Sequence, residues 1–366
     1  FIDDSGIEYG AIIKALIIGE DRGVSKEIRN SFNLTATTHI LSISGLHVSI
    51  VALAAYLVTF QLLRQSERLA LVFNIRKLAT VAGIIPVLLY GAIAGFSVPV
   101  ERSVIMVLVF ILSVLVDREK SFYNTVAAAA FVILVMSPLA VYDISFQLSF
   151  MSVLAILYLV PQIQALWINK NTEEQDIVAK LLQPHPAWKG LEKYLLNPLA
   201  VSIATFGTAP FVAWHFHRLS FIGIFANLIA VPFMGFAAVI LGLVSCAASF
   251  FSQSLAWPLL KLADIVISFS LWIIDLFARL PYASVYTTTP TILEAVLFYL
   301  LIICIVEFKR ARFFKYGLAA VILVLIGNYS YWYYHLNYNS NLKVTFISVG
   351  QGDSALIEFP YGKRML

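Results

Sequence analysis

Charge is scarce in this sequence. Only 13% of its 366 residues are Asp, Glu, Lys or Arg, whereas soluble globular domains carry about 25%. This shortage excludes an ordinary water-soluble enzyme. The 25 basic and 21 acidic residues give a net charge of +4 with no long block of one sign, so net charge alone indicates no polyanionic partner.

Cysteine and the common catalytic motifs are also scarce. Cys246 and Cys304 both lie in apolar runs, which excludes a disulfide framework and a thiolate metal cluster. The sequence contains no His-Glu-x-x-His pair, no Walker A loop and no G-x-G-x-x-G turn. These absences leave no support for a metalloprotease or an ATPase. We therefore expect no cofactor and no bound metal in this sequence.

Apolar residues, by contrast, make up 60% of the sequence, and the mean hydropathy is +0.86. A membrane crossing takes roughly 20 residues. We predict an all-α polytopic membrane protein with about ten transmembrane or re-entrant helices, followed by the start of a β-containing soluble domain. The apolar segments lie at 40–63, 78–95, 103–116, 125–136, 144–160, 196–213, 219–251, 255–279, 291–306 and 317–336.

Three of these segments are predicted to differ from a single continuous membrane-spanning helix. Those at 103–116 and 125–136 are short enough to be buried or re-entrant. The segment 219–251 contains Asn227 and Pro232 and is predicted to be broken there.

Basic residues indicate the orientation of the helices. Loops at 64–77, 118–120 and 309–315 hold clusters of Lys and Arg, and such loops are typical of the cytoplasmic side. The loop 281–290 has no charge, and counting crossings places it outside, together with both ends of the sequence.

Three regions follow from this pattern. Residues 1–38 form an amphipathic outer-surface segment, because Val24, Ile28 and Phe32 recur at helical spacing. Residues 39–336 form a multi-helix membrane domain. Residues 342–366 form a β-hairpin, because two alternating stretches flank a Gly-rich turn.

The first polar interruption of an apolar run is the stretch HILSISGLHVS at 39–49. Polar groups in a bilayer are costly and often functional. Ser44 and His47 are three residues apart and share a helix face, so three interpretations stay open. They are a Ser/His pair for hydrolysis, helix packing around Gly45, and the lining of a wet path.

Two further groups of polar residues precede or interrupt apolar segments. Arg102 is either an interfacial anchor or a contact for a phosphate or carboxylate. Asp143 and Gln147 lie one helical turn apart. Phe146 and Phe150, on an adjacent face, are either core residues or a surface for base stacking.

The last polar cluster begins with Trp214-His215-Phe216-His217-Arg218 and continues to Asn227 and Pro232. Two histidines at i and i+2 without a nearby carboxylate make a poor zinc site. A cluster of aromatic residues, histidine and arginine between two spans is typical of an interfacial belt.

Together these blocks resemble the ComEC competence protein family, bacterial inner-membrane proteins that take up transforming DNA. The resemblance rests on five blocks in order, which span nearly the whole sequence. They are HILSISGLH (39–47), VPVERS (98–103), SPLAVYDISFQLSF (137–150), HFHRLS with NLIAVP (215–232) and VTFISVGQGDSALI (344–357).

The resemblance implies a multi-pass protein of the bacterial cytoplasmic membrane that passes single-stranded DNA. A strand with one charge per nucleotide needs a wet path with hydrogen-bond donors. Candidate path residues are Ser44, His47, Arg102, Asp143, Gln147, His215, Arg218 and Asn227. Because a lone carboxylate repels phosphate, we expect Asp143 to be structural and paired with an arginine. Candidate structural residues are Gly45, Phe146, Phe150, Pro232, Gly350, Gly352 and Asp353.

The resemblance also implies partners and a missing domain. The partners are single-stranded DNA, the lipid membrane, an outer DNA-receptor protein and a cytoplasmic helicase-like translocase. Separately from the resemblance, a homodimer stays open, because the apolar faces do not distinguish protein contact from lipid contact. We expect this sequence to be a catalytically silent part of a longer protein. By the resemblance, residues 342–366 are the opening β-hairpin of a truncated metallo-β-lactamase-like domain, and a metal-dependent nuclease is expected downstream of residue 366. Two other functions stay open: a secondary transporter of a small anion, and an intramembrane serine hydrolase using Ser44 and His47.

Overall fold

A computed structural model describes residues 2–118, 121–167, 198–338, 342–348, 353–360 and 364–365. Helices make up most of this part of the chain. The helices are α1 (Gly10–Ile17), α2 (Lys26–Leu34), α3 (Gly45–Arg64), α4 (Glu67–Val72), α5 (Ile75–Ala82), α6 (Ile84–Ile93), α7 (Val98–Leu115), α8 (Phe122–Met136), α9 (Ile144–Trp167), α10 (Pro198–Gly207), α11 (Ala209–Phe216), α12 (Ile222–Ala230), α13 (Val239–Ser249), α14 (Gln253–Ala278), α15 (Ile292–Val306) and α16 (Arg312–Asn337).

Short elements complete the fold. A π-helix (Val231–Ala238) joins α12 to α13, and 3-10 turns lie at Asp3–Ser5, Thr38–Leu41 and Pro138–Tyr142. The strands are β1 (Arg218–Leu219), β2 (Val285–Tyr286), β3 (Lys343–Ser348), β4 (Asp353–Glu358) and β5 (Arg364–Met365).

Six helical stretches of the described residues are long and apolar enough to cross a membrane. They are Gly45–Arg64, Ile75–Ile93, Val98–Leu115, Ile144–Ile163, Ile222–Ser249 and Arg312–His335. The predicted helical membrane protein is therefore confirmed, but the count of about ten spans is not. The helices Phe122–Met136 and Ile292–Val306 are apolar but shorter, and the segment predicted at 196–213 divides into α10 and α11.

The helix α7 is longer than the apolar run that predicts it. It begins at Val98, with Pro99 in its first turn, where the missing N–H of proline costs nothing. Glu101 also lies in the first turn, and its charge is favourable at the positive end of the helix dipole. The polar sequence VPVER therefore starts a spanning helix of 18 residues.

The chain divides into two compact units, Phe1–Thr289 and Pro290–Leu366. In the first unit, the amphipathic segment packs into the same core as later helices. Ser25 caps α2 by accepting the N–H of Ile28 at 3.3 Å, and Phe32 is fully buried. Its neighbours in this hydrophobic cluster include Leu260 and Ile267 of α14.

A second cluster of the first unit joins α3, α6 and α7. Val48, Val87, Tyr90, Val100 and Val104 form most of its buried part. This cluster lies next to the polar residues at the start of α3 and α7, and it fixes those helix ends against each other.

The chain continues through the predicted break near Asn227 and Pro232. Residues 231–238 form a π-helix between α12 and α13, so the break takes the form of a wider helical turn. Isolated π turns in α-helices are frequent at functional sites.

The second unit contains α15, α16 and the β-hairpin. Thr291 and Glu294 form a capping box at the start of α15, and Asn328 of α16 donates to Glu294 at 2.8 Å. Strands β3 and β4 pair antiparallel from Lys343↔Glu358 to Ser348↔Asp353, as the alternating sequence predicts. Gly350 and Gly352 lie outside the described residues, whereas Asp353 is the first residue of β4.

Candidate functional site

The start of α3 is capped by its own histidine. Ser44 is extended at the N-cap position, and its backbone N–H donates to Nδ1 of His47 at 2.9 Å. An N–H can only donate, so Nδ1 accepts, and the proton of the neutral imidazole sits on Nε2. The imidazole is 1% exposed, and Nε2 has no hydrogen-bond partner within the described chain.

This geometry is unlike that of an activated serine. The Ser44 Oγ lies 3.0 Å from the same Nδ1, so hydroxyl and backbone N–H share one acceptor. In a hydrolytic triad the second ring nitrogen donates to an orienting carboxylate. Here that nitrogen is Nε2, which meets no carboxylate among the described residues, so the pair is better explained as a helix cap than as a nucleophile and its base.

The starts of α7 and α9 are joined by an ion pair. Nη1 of Arg102 lies 3.1 Å from Oδ1 of Asp143. The Arg102 side chain is 6% exposed and that of Asp143 38%, so the cation is buried and the anion partly solvated. Asp143 also caps α9, because its Oδ1 accepts the N–H of Phe146 at 3.0 Å. Nε of Arg102 is buried without a partner among the described residues.

The environment of Asp143 favours its charged form. Partial burial raises the pKa of this carboxyl, but the N–H of Phe146, the charge of Arg102 and hydrogen bonds from Ser145 together outweigh burial. The pKa therefore lies below its ordinary value. Asp143 thus attaches α9 to α7, and its negative charge is balanced by the positive charge of Arg102.

Gln147 joins α9 to α11. Its Oε1 accepts from Nε2 of His215 at 2.8 Å, and its Nε2 donates to the carbonyl of Val141 at 2.9 Å. Asp143 and Gln147 are one helical turn apart, so α9 presents both to neighbouring helices. Polar contacts thus connect the starts of α7 and α9 with the end of α11.

Beyond α11, a small antiparallel ribbon of residues 217–220 and 283–289 carries Arg218. Arg218 pairs with Tyr286 across β1 and β2. Its guanidinium lies 4.4 Å from the centre of the Tyr286 ring and donates to the Tyr286 hydroxyl. The N–H of Thr287 donates to the carbonyl of His217 at 2.9 Å, which fixes the ribbon.

Asn227 is buried where α12 packs against the segment that precedes α3. Its Nδ2 lies 3.4 Å from both the carbonyl of Ala36 and Oγ1 of Thr205, and its Oδ1 has no partner in the described residues. Gly223 brings the backbones together here, because a Cβ at that position would lie 2.9 Å from the carbonyl of Thr35.

The aromatic candidates belong to the core. The rings of Phe146 and Phe150 are 8% and 6% exposed, lie 4.4 Å apart and pack with Ile133. They offer no open surface for a base. Pro232 lies in the π-helix. A Cβ on Gly45 would lie 3.8 Å from Oγ of Ser103, so the start of α3 lies close to that of α7.

Seven of the eight candidate path residues therefore gather at one end of the helices of the first unit. Ser44 and His47 lie at the start of α3, Arg102 at the start of α7, Asp143 and Gln147 at the start of α9, and His215 at the end of α11. Arg218 follows on the ribbon. Asn227 instead contacts Ala36, which precedes α3, and Thr205 of α10. No group of three or more His, Cys, Asp or Glu side chains that could hold a metal occurs in the described ranges.

Sequence reasoning missed the partner of Arg218. Tyr286 lies 68 residues away in the uncharged loop. In the sequence, that loop indicates only the orientation of the helices in the membrane. The signal that could have found it is the exposed aromatic and hydroxyl sequence YASVYTTT at 282–289.

Comparison with known proteins places these elements in one family. The family model described as competence protein matches residues 16–312, which include the whole polar group and the ribbon. The chain belongs to the competence protein family. The family predicted from the five sequence blocks is therefore confirmed for this region.

Several members of the competence family are similar to the chain. It is 24% identical over 363 residues to ComE operon protein 3 of Bacillus subtilis (strain 168), which covers 96% of this chain and 41% of that protein. It is 35% identical over 156 residues to competence protein ComA of Neisseria gonorrhoeae, which covers 42% of this chain and 22% of that protein.

A further relative is recombination protein 2 of Haemophilus influenzae, 29% identical over 263 residues, with 69% of this chain and 30% of that protein covered. The chain spans less than half the length of these curated relatives. No solved structure matches the chain significantly.

Proposed function

We propose that this chain is the membrane channel domain through which single-stranded DNA crosses the bacterial cytoplasmic membrane during natural transformation. The observation that carries the proposal is the family match over residues 16–312, within which polar side chains from four helices meet at one end of an apolar bundle. The name of the relative from Neisseria, competence protein ComA, connects that protein with competence.

The proposed path uses the gathered residues in two ways. Gln147, His215 and Arg218 are half-buried and supply an amide, an imidazole and a guanidinium for phosphate oxygens. His47 and Arg102 are buried: His47 caps α3, and Arg102 joins α7 to α9 through Asp143. They reach phosphate only when those helix ends separate.

The orientation and the partners are part of the same proposal. The basic loops around 64–77 and 309–315 face the cytoplasm, so the polar group lies on the outer side. An outer receptor delivers the strand, and a cytoplasmic helicase-like translocase draws it in. The hairpin β3–β4 begins a metallo-β-lactamase-like domain whose nuclease chemistry lies downstream of residue 366, and the channel itself is not an enzyme.

The test is uptake of fluorescent single-stranded DNA by cells whose full-length protein carries Arg102→Ala, Gln147→Ala or Arg218→Ala. Glu101→Ala, which changes an exposed neighbour of Arg102, is the matched control. We expect each of the three variants to reduce uptake with membrane insertion intact, while the control keeps it. Wild-type uptake in all three variants, with normal insertion, would refute the proposed path.

A further inference from the structure

The ribbon is a rigid, exposed platform. Ser220 donates to the carbonyl of Ala283 at 2.6 Å and accepts the N–H of Gly223 at 2.9 Å, which ties the ribbon to the start of α12. His217 Nδ1 lies 3.1 Å from the Thr289 hydroxyl at the other end. Despite this anchoring, Tyr286 is 74% exposed.

Arg218 is a cation whose charge is not neutralised within the described part of the chain. None of the ion pairs found there includes it, and its guanidinium is held by the face and the hydroxyl of Tyr286. Residues 280–290 contain no acidic residue. The pair therefore presents a fixed positive charge beside an aromatic ring.

The two side chains offer complementary contacts for one nucleotide. Arg218 covers one face of the Tyr286 ring, and the exposure of the ring leaves its other face open. An aromatic face stacks on any unpaired base, and the planar guanidinium fork suits a phosphate. Double-stranded DNA offers no free base face, so the pair selects single strands.

We propose that Tyr286 and Arg218 form a stacking site for one unpaired nucleotide of single-stranded DNA at the outer mouth of the path. Tyr286 stacks on the base, and Arg218 binds the adjacent phosphate. The inference rests on the proposed function, because it names how the incoming strand is first held. Continuity with the path supports it: His215, three residues before Arg218, is hydrogen-bonded to Gln147.

The test is binding of a fluorescent oligothymidylate to the full-length protein in nanodiscs over a series of salt concentrations. Tyr286→Leu removes the ring, and we expect the Kd to rise by about 5- to 100-fold with an unchanged salt slope. Tyr286→Phe keeps the ring and stays within about threefold of wild type. Arg218→Ala weakens binding and flattens the slope of log K against log salt by about 0.7.

Tyr142→Leu is the matched control. Tyr142 is 77% exposed, lies near the start of α9, and is not among the rings of the described residues that carry a cation. We expect this variant to bind like wild type. A 5-iodouracil placed in the oligonucleotide should photocrosslink to Tyr286, and peptide mapping should recover that adduct.

Three results would overturn the stacking site while leaving the proposed function in place, provided that the wild-type protein binds and takes up DNA. They are unchanged affinity of Tyr286→Leu, an equal loss in Tyr142→Leu, and a change in vesicle association of Tyr286→Leu without a change in DNA affinity. The last result would assign the ring to the lipid interface. Absence of both binding and uptake in wild type would overturn the proposed function as well.

Discussion

Substituting Asp143 by Asn tests the ion pair that fastens α9 to α7. Asparagine is as good an N-cap as aspartate, so the hydrogen bond from the N–H of Phe146 can persist while the charge is lost. The substitution leaves Arg102, 6% exposed, without its counter-charge.

The expected magnitude follows from the unequal burial of the two partners. Breaking a fully buried pair costs about 3–5 kcal/mol, and losing an exposed pair costs about 0.2–1 kcal/mol. With Arg102 buried and the Asp143 side chain 38% exposed, we expect a loss of about 1–3 kcal/mol in the free energy of unfolding.

The pH dependence has a definite sign. The pKa of Asp143 is lower in the folded protein than its ordinary value of 3.8, so the pair stabilises the fold fully above about pH 4. The contribution disappears as the pH falls through the lowered folded pKa. The difference between wild type and Asp143→Asn should therefore be constant near neutral pH and shrink below about pH 4.

Unfolding followed by circular dichroism in mixed detergent micelles measures this difference. Asp275→Asn is the control, since its partner Arg279 is 77% exposed and the pair spans one helical turn; we expect a cost of about 0.5 kcal/mol or less. Adding Arg102→Met to Asp143→Asn should recover stability, because the unpaired buried charge is removed. A cost for Asp143→Asn no larger than that of the control would refute the reasoning.

Three further predictions concern other contacts. Gln147→Leu removes the bridge from Val141 to His215 and should cost about 1–2 kcal/mol in the same unfolding assay; a neutral result would mean that the bridge contributes nothing to helix packing. Wild-type protein should resist fluorophosphonate labelling, because no carboxylate in the described part of the chain orients His47; labelling that Ser44→Ala abolishes would instead establish a serine nucleophile. Gly207→Ala should destabilise by about 1–3 kcal/mol, because the added Cβ overlaps Cβ of Ala155, whereas Gly327→Ala on α16 meets nothing within 4 Å and should be tolerated.

Local patterns in the sequence predict part of this structure. The alternation in 342–359 predicts both strands of the hairpin to within about one residue, because a period of two is visible in six consecutive residues. Apolar runs predict the helices that cross the membrane, and the cost of a lone carboxylate there points to an arginine near Asp143.

Long-range pairings are outside the reach of such patterns. The ribbon joins two strands of two residues each, which are too short to show any periodicity. The contact between Gln147 and His215 also spans 68 residues, and each side chain alone is consistent with an interfacial position. The π-helix leaves no composition signal beyond Pro232, so the sequence alone indicates an interruption and not its form.

The π-helix determines how α12 is rotated about the helix axis relative to α13. A wide turn accommodates one residue more than an α-helical turn, and each residue corresponds to roughly 100° of rotation about the axis. If the same eight residues, 231–238, were wound as α-helix, the span would stay continuous and Asn227 would be turned by about that angle relative to α13. The wide turn therefore sets the angle of rotation between α12 and α13, the two halves of one membrane-spanning stretch. It sets which side chains of α12 face the neighbouring helices α10 and α14.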